Sequence, residues 1–290
     1  MTKLQYFIEN LFLLLFSLIK IILKSKIFIC RYKPQISINE ELIILGNGPS
    51  LRTSFKEHEN YFKNKTLMCV NGFALSEYYK IYKPKYYTLS APEFWLEIPP
   101  TEAHIAWRKN LFDIIEKETD WELHIFIPVA ASHSKFWKSQ FKTNTNIHIH
   151  YFNATPVEGF KCFTHFAYKY NLGIMRPHNV LVPSIYLGLN LNYKKIIIFG
   201  ADHSWHEELK VNENNQVTVN HEHFYDKGKV VGSMHKLGAV EFKIHDMFRK
   251  WYLAFKSYFL LLDYSKSKNA EILNASSKSY IDAFKKIKID

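Results

Sequence analysis

Residues 42–51 read Leu-Ile-Ile-Leu-Gly-Asn-Gly-Pro-Ser-Leu. The four apolar residues at its start are typical of a strand buried inside a sheet. They run into two glycines around Asn47, and Pro49 and Ser50 can then open a helix. In open α/β sheets such a turn builds nucleotide or phosphate sites, because glycine lets the backbone approach the ligand and the helix start offers unpaired N–H groups. An ordinary tight turn between a strand and a helix has the same spacing.

The rest of the chain alternates between apolar strand candidates and helix-like segments, which predicts a mostly parallel, Rossmann-like α/β sheet with helices on both faces. Strand candidates are 42–45, 66–70, 86–89, 123–129, 147–152, 196–199 and 271–273. Helix candidates lie near 73–80, 102–117, 134–141, 160–169, 179–188, 235–262 and 279–286. One large domain at 40–290 accounts for this pattern. The long polar interval at about 203–233 is interpreted as a lid loop over the site.

The N-terminal segment, residues 1–33, is predicted to form an amphipathic or membrane-anchoring helix. Wound as a helix, it places Glu9, Ser17, Lys20 and Lys24 on one stripe. This stripe suits a helix that lies in the membrane interface with its lysines reaching the lipid headgroups. A spanning helix is less favoured, because no uncharged run of about 18 residues is present. Peripheral and single-pass attachment both place the domain on the cytoplasmic face of the inner membrane.

The charge of the chain is concentrated beside this segment. The net charge is +11, and residues 1–33 hold six Lys or Arg against one Glu. Such a distribution favours an anionic membrane surface over nucleic acid as the partner. A generally basic soluble protein is the alternative. The three cysteines are widely separated and odd in number, so they predict a reducing compartment rather than a disulfide framework.

Later segments repeat the order of a known family. Arg176 precedes an apolar helix-like run, and the following strand runs into Gly-Ala-Asp at 200–202. A looser segment reads Gly-Ser-Met-His at 232–235. With the turn at 46–51, these segments resemble the bacterial sialyltransferases of glycosyltransferase family 42 and the related motility-accessory-factor and pterin-diphosphokinase-like proteins. The resemblance runs over most of residues 40–285.

The resemblance implies a bacterial, metal-independent glycosyltransferase with a Rossmann-like domain. Such an enzyme would move sialic acid or a related acidic sugar from a nucleotide donor, CMP-linked in the resembling enzymes, to a surface glycan. The surface glycan would be lipopolysaccharide or capsule. The molecule that accepts the sugar would be a glycan, free or linked to a lipid. No resident cofactor and no nucleic acid are expected, and oligomerisation is left open.

Small polar residues and glycines at successive strand ends predict the nucleotide pocket. Their amides and hydroxyls can bond a base, a ribose and phosphates without filling the space. The asparagines at the first two strand ends belong to the CMP-sugar site of the resembling enzymes. The alternative is that these residues simply form turns. The predicted set is Gly46, Asn47, Gly48, Ser50, Asn71, Ser90 and Asp202.

Histidines concentrate late in the chain, and a transferase with a hydroxyl acceptor needs a base near neutral pH. The motif position favours His235. Two residues separate Gly232 from His235 where the sialyltransferases have none, so His221 and His223 remain alternatives.

The resembling enzymes neutralise the leaving phosphate with tyrosine hydroxyls. Here Tyr225 in the lid is the nearest candidate, and His203 is a substitute donor. Arg176 matches an arginine expected on the acceptor side, and Asn179 is predicted to bind the substrate with it. A surface arginine that pairs with a helix dipole is the alternative for Arg176.

Metal binding is a competing interpretation of the same histidines. The His-x-His pair at 221–223 and the acid–histidine run at 202–208 contain ligand types, but a strong zinc spacing is missing. Two other functions also remain open. One is a diphosphokinase-like phosphotransferase, which would need magnesium and ATP although the chain has no Walker-type loop. The other is a non-catalytic glycan-assembly protein.

Overall fold

The computed structural model describes residues 2–27, 32–34, 40–99, 101–221, 224–225, 230–233 and 242–289. Its centre is an eight-stranded sheet in which all neighbouring strands are parallel. In chain order its strands are β1 Glu41–Leu45, β2 Thr66–Val70, β3 Tyr86–Thr88, β4 Leu123–Pro128, β5 Ile147–Phe152, β6 Lys195–Phe199, β10 Glu271–Asn274 and β11 Lys285–Lys286. A smaller antiparallel sheet holds β7 Leu209–Val211, β8 Val217–His221 and β9 Val230–Ser233.

The strand order is β11-β10-β6-β1-β2-β3-β4-β5, so the chain builds outward from β1 to β5 and then returns to the other side of β1. Leu42 of β1 is paired with Thr66 on one side and with Ile196 on the other. The direction of winding therefore reverses between β1 and β6. Open parallel sheets bind ligands at such a reversal, outside the carboxyl ends of the strands.

Helices cover both faces of the large sheet, which confirms the predicted α/β architecture. They are α1 Lys3–Lys24, α2 Ser50–Glu57, α3 Glu59–Phe62, α4 Tyr78–Tyr82, α5 Glu102–Glu118, α6 Lys135–Ser139, α7 Lys161–Lys169, α8 Leu181–Asn190 and α9 Ile244–Ser267. Successive strand residues point to opposite faces. Leu42 and Ile44 pack with α1, α7, α8 and α9, whereas Ile43 and Leu45 pack with α2 to α6. The apolar run in β1 thus serves two cores at once.

The helix predicted at 279–286 is wrong. The segment is irregular and ends in β11, which pairs with β10. The hydroxyl of Ser279 donates to the carbonyl of Ala201 and accepts from the side-chain amide of Asn274, at 2.6 and 2.9 Å. These bonds attach the segment to the ends of β6 and β10. They stabilise the irregular conformation more than the local sequence pattern favours a helix.

The interval predicted as a lid loop contains the small antiparallel sheet. The Asn-rich stretch at 212–215 forms the turn between β7 and β8, where the side chain of Asn212 accepts from the N–H groups of Asn214 and Gln216. In β8, alternate valines are buried against Met247 and Trp251 of α9. The segment therefore has strands and a core contact of its own.

Part of the polar stripe of helix α1 faces the domain. We had expected the lysines of this stripe to reach lipid headgroups instead. Ser17 is fully buried, and Lys20 is half-buried with its Nζ 4.0 Å from a carboxylate oxygen of Glu158. Lys24 stays exposed. By length and composition alone, α1 is apolar enough to cross a membrane.

Candidate functional site

The ends of β1 and β6 are fastened to each other by the backbone of the glycine turn. The N–H of Gly46 donates to the carbonyl of Phe199 at 2.8 Å, and the N–H of Gly48 donates to that of Gly200 at 2.9 Å. Gly200 has a φ of +62°, which an L side chain rarely adopts. Gly46 and Gly48, the two predicted glycines, allow the ends of β1 and β6 to approach each other. Their N–H groups are hydrogen-bonded to carbonyls of the chain.

Asp202 binds the start of α2. One of its carboxylate oxygens accepts from the N–H of Ser50 at 3.0 Å, and the other accepts from the Ser50 hydroxyl at 2.5 Å. Burial raises the pKa of Asp202 above its ordinary value, while the two Ser50 bonds favour the ionised form. The expectation that this helix start offers unpaired N–H groups is therefore wrong at Ser50, because a carboxylate of the chain already holds it.

The asparagines at the first two strand ends are less buried than Asp202. Asn47 is half-buried, and its Nδ2 donates to the carbonyl of Val70 at 3.1 Å. Asn71 has a φ of +44°, and its Oδ1 is 3.5 Å from the N–H of Ser90. The structure brings the three predicted residues to neighbouring strand ends, as parallel strands require.

Three buried side-chain atoms at this edge have no hydrogen-bond partner within the described residues. They are Oδ1 of Asn47, Oγ1 of Thr88 and Nδ2 of Asn179. Asn47 and Thr88 lie at the ends of β1 and β3. Asn179 precedes α8, which runs back into β6 and therefore begins at the same edge of the sheet. Buried polar groups are normally hydrogen-bonded, so these atoms mark a place suited to a polar ligand.

Part of the lid interval folds onto the strand ends. The N–H of Phe224 donates to the carbonyl of Asn47 at 3.1 Å, and the guanidinium of Arg52 donates to the carbonyl of Phe224. The hydroxyl of Tyr225 lies directly against Gly72, in the space that a Cβ would occupy. Tyr225, predicted as a phosphate donor, is thus adjacent to the predicted nucleotide residues, although its role stays a prediction.

His203 is held inside the protein. Its Nε2 lies 2.5 Å from the hydroxyl of Tyr258, which in turn donates to Oδ1 of Asn179 at 3.1 Å. Burial lowers the pKa of His203 to about 3, so the ring is neutral near pH 7. A buried, neutral ring engaged with Tyr258 does not suit the predicted contact with a phosphate, and its position indicates a packing role.

Acidification should reveal this buried histidine. Its folded pKa is below the unfolded value of about 6.5, so protons bind preferentially to the unfolded chain. The His203 contribution to the free energy of unfolding is therefore constant above pH 7 and falls by roughly 1–2 kcal/mol between pH 7 and pH 5. Urea unfolding at both pH values should show a smaller loss in His203→Asn, since asparagine tolerates the left-handed φ of this position. An equal loss in both proteins would contradict this assignment.

Arg176 and Asn179 are not brought together as one binding pair. Arg176 forms two bonds to Glu158, from Nε at 3.1 Å and from Nη2 at 2.6 Å. Oδ1 of Asn179 accepts from the N–H groups of Leu181 and Val182 and so caps α8. The acceptor role of both residues stays a prediction, with the Nδ2 of Asn179 as the group left to bind a ligand.

The predicted catalytic histidines are not located by the structure. His223 and His235 lie outside the described residues, and His221 is described only as the end of β8. In the run at 202–208, His206 packs on Tyr280 and Glu207 pairs with Lys278. Within the described ranges, no group of three or more His, Cys, Asp or Glu side chains lies together as a metal site would require.

Sequence reasoning missed two residues of the site. Thr88 ends the third strand, two positions before the predicted Ser90, but the sequence pattern extended that strand to Leu89 and so did not mark Thr88 as its end. The ring of Trp107, from α5, lies against Gly72 beside the Tyr225 hydroxyl. Nothing local in the sequence marks Trp107, because an aromatic residue in a helix ordinarily packs in the core.

A scan of the chain against protein-family models finds no matching family, and a search of curated proteins finds no matching sequence. Among solved structures, the chain is similar to the MAf glycosyltransferase from Magnetospirillum magneticum AMB-1, at 11% identity and a TM-score of 0.48. The match covers 90% of this chain and 35% of that one, so the chain spans about a third of that protein. A likeness at this level assigns neither family nor activity.

Proposed function

We propose that the chain is a membrane-associated glycosyltransferase with a CMP-linked donor. It would move sialic acid or a related acidic sugar to a surface glycan such as lipopolysaccharide or capsule, at the cytoplasmic face of the inner membrane. The observation that carries the proposal is that buried atoms on Asn47, Thr88 and Asn179, at the carboxyl edge of the sheet, have no hydrogen-bond partner among the residues that the structure describes. Each such group costs about 1–3 kcal/mol when left unpaired, and a nucleoside offers both donors and acceptors to satisfy them.

The charge of Asp202 supports a donor with one phosphate. In many α/β sites the helix after the first strand accepts a ligand phosphate at its N-terminus. Here the Asp202 carboxylate occupies the N–H of Ser50, so a fixed negative charge faces that position. A pyrophosphate would meet stronger repulsion there than the single phosphate of a CMP-sugar. This favours a CMP-linked donor over diphosphate-linked sugars.

In the proposed reaction, the acceptor hydroxyl forms a bond to the anomeric carbon of the sugar while the bond from that carbon to the CMP phosphate breaks. A histidine takes the proton of the acceptor, and CMP leaves with the bonding electron pair. His235 is our first candidate for the base, with His221 and His223 as alternatives. Tyr225 would donate its hydroxyl to the leaving phosphate, and no metal is required, so EDTA should leave turnover unchanged.

Product analysis separates this proposal from the two competing functions. Release of CMP from a CMP-sugar supports the transferase, and release of AMP from ATP supports a diphosphokinase-like enzyme. Absence of turnover with both, together with absence of a thermal shift with CMP, UDP, GDP or ATP, would favour a non-catalytic assembly protein.

The nucleotide pocket can be tested at its two asparagines. Asn47→Ala and Asn71→Ala should each weaken CMP binding by roughly 1–3 kcal/mol, because each removes a group at a strand end that would pair with the ligand. Calorimetric titration of CMP measures the change, and thermal unfolding checks that the fold is retained. Asn60→Ala, on the exposed surface of α3, is the matched control and should bind CMP like the parent chain. Unchanged affinity in both pocket variants would remove the nucleotide from these strand ends.

A further inference from the structure

Helix α1 contacts the domain along nearly its whole length. Near its start, the ring of Phe7 packs on that of Phe160, with centroids 5.4 Å apart. At its middle, the backbone of Leu14 lies against Gly159, where an added Cβ would come within 3.0 Å. Just beyond its end, the hydroxyl of Ser25 donates to the carbonyl of Leu172 at 2.7 Å. From residue 7 to residue 25 the contacts cover about 27 Å at 1.5 Å per residue.

Polar groups hold the middle of this contact. The hydroxyl of Ser17 donates to the carbonyl of Glu158 and accepts from its N–H, each at 2.9 Å. The carboxylate of Glu158 also lies 4.0 Å from Lys20 and pairs with Arg176. The side of α1 that binds the domain thus carries buried Asn10 and Ser17 beside Ile21, whereas a helix that packs in a core ordinarily turns only its apolar side inward.

The opposite side of α1 is apolar, and no residue of the described ranges covers it. Its exposed large side chains include Leu4, Ile8, Leu11, Phe12, Leu15, Phe16, Leu18, Ile19, Ile22 and Leu23. A continuous apolar face of this extent marks an interaction site. Lys3 and Lys24 stand at its two ends, and Glu9 is the one acidic residue in the helix. An apolar face bracketed by cations fits an anionic bilayer surface better than a second protein surface.

We infer that α1 lies in the plane of the membrane surface, docked on the domain, with its apolar side in one leaflet. A docked helix cannot cross the bilayer, because its contacts cover almost the full thickness of about 30 Å of the hydrocarbon core. Crossing in the docked state would carry Lys20, Glu158 and Arg176 into hydrocarbon, where charged groups are strongly disfavoured. The inference rests on the membrane association in the proposed function and specifies its geometry.

The geometry predicts that the start of α1 and the domain face the same side of the membrane. Lys3→Cys and Ile98→Cys place single thiols at exposed positions near the start of α1 and on the domain, in a background carrying Cys30→Ser and Cys162→Ser. Cys69 is buried and stays in place. In membrane vesicles of each orientation from expressing cells, both introduced thiols should react with an impermeant maleimide in the same orientation. Reaction in opposite orientations would show a spanning helix and overturn the inference.

The apolar side is tested with a matched pair of substitutions. Phe12 on α1 is 58% exposed, and Ile81 on α4, behind the other face of the sheet, is 55% exposed. Phe12→Lys should lower partitioning of the full chain onto anionic phospholipid vesicles at least tenfold, and Ile81→Lys should leave it within about twofold. Equal partitioning of both variants would overturn the inference. Neither readout uses a nucleotide or a sugar, so their failure is distinguishable from failure of the glycosyltransferase proposal.

Discussion

Replacing Gly46 by alanine is expected to destabilise the domain by roughly 3–5 kcal/mol, near the upper end for a single substitution. An added Cβ would lie 2.5 Å from the carbonyl oxygen of Gly200 and 3.1 Å from that of Phe199. Both obstacles are backbone atoms of the β6 end, so relief requires the two strand ends to separate. That movement would weaken the bond from Gly46 to Phe199 and misplace Asp202 relative to Ser50. Urea unfolding monitored by circular dichroism measures the effect.

Gly188→Ala is the matched control for this prediction. Its added Cβ would also be close to neighbours, at 2.7 Å from Cδ2 of Leu42 and 3.0 Å from Cδ1 of Ile196. These atoms are the far ends of flexible side chains, and alanine gains about 1 kcal/mol of helix propensity over glycine in α8. The net change should stay within about 1 kcal/mol. If both variants unfold equally easily, general crowding rather than the fastening of β1 to β6 explains the sensitivity.

His235→Ala should lower turnover by about 10²–10⁴-fold while donor affinity stays nearly unchanged. The reason is that a general base acts on the acceptor proton in the transition state and contributes little to holding the nucleotide. Initial rates at saturating donor, combined with CMP titration, separate the two effects. The rate should fall on the acid side of the profile, because protonation of the histidine removes the base.

His221→Ala and His223→Ala are the controls, because the spacing after Gly232 departs from that of the resembling enzymes. If either control loses activity while His235→Ala retains it, the base lies in the His-Glu-His segment at 221–223. A strict requirement for added metal would contradict the metal-independent mechanism and support the metal interpretation of the same histidines.

The architecture was predictable because its signals are local. The apolar run in β1 and the glycines after it identify a buried strand and a turn without any knowledge of distant residues. The segment at 279–286 shows the limit of this reasoning. Its non-helical form depends in part on the bond from Ser279 to Ala201, and such a distant partner leaves no periodic pattern in the sequence.

The positions of the candidate site residues were predictable from the sequence, but the hydrogen bonds that these residues form were not. Sequence order placed Gly48, Ser50 and Asp202 at one edge of the sheet, and the structure brings them together. What the sequence could not indicate is that these groups bond to one another. A carboxylate far along the chain can satisfy a helix start as well as a ligand phosphate can, and only the folded geometry distinguishes the two cases.

The in-plane position that we infer for α1 has a mechanical consequence for the membrane. A helix held flat by its polar side adds cross-sectional area to one leaflet and none to the other. It therefore acts as a wedge and binds more strongly where that leaflet is already stretched by curvature. The protein should accordingly concentrate on small, highly curved vesicles over large ones of the same lipid composition. Membrane shape would then help to determine where in the cell the protein is found.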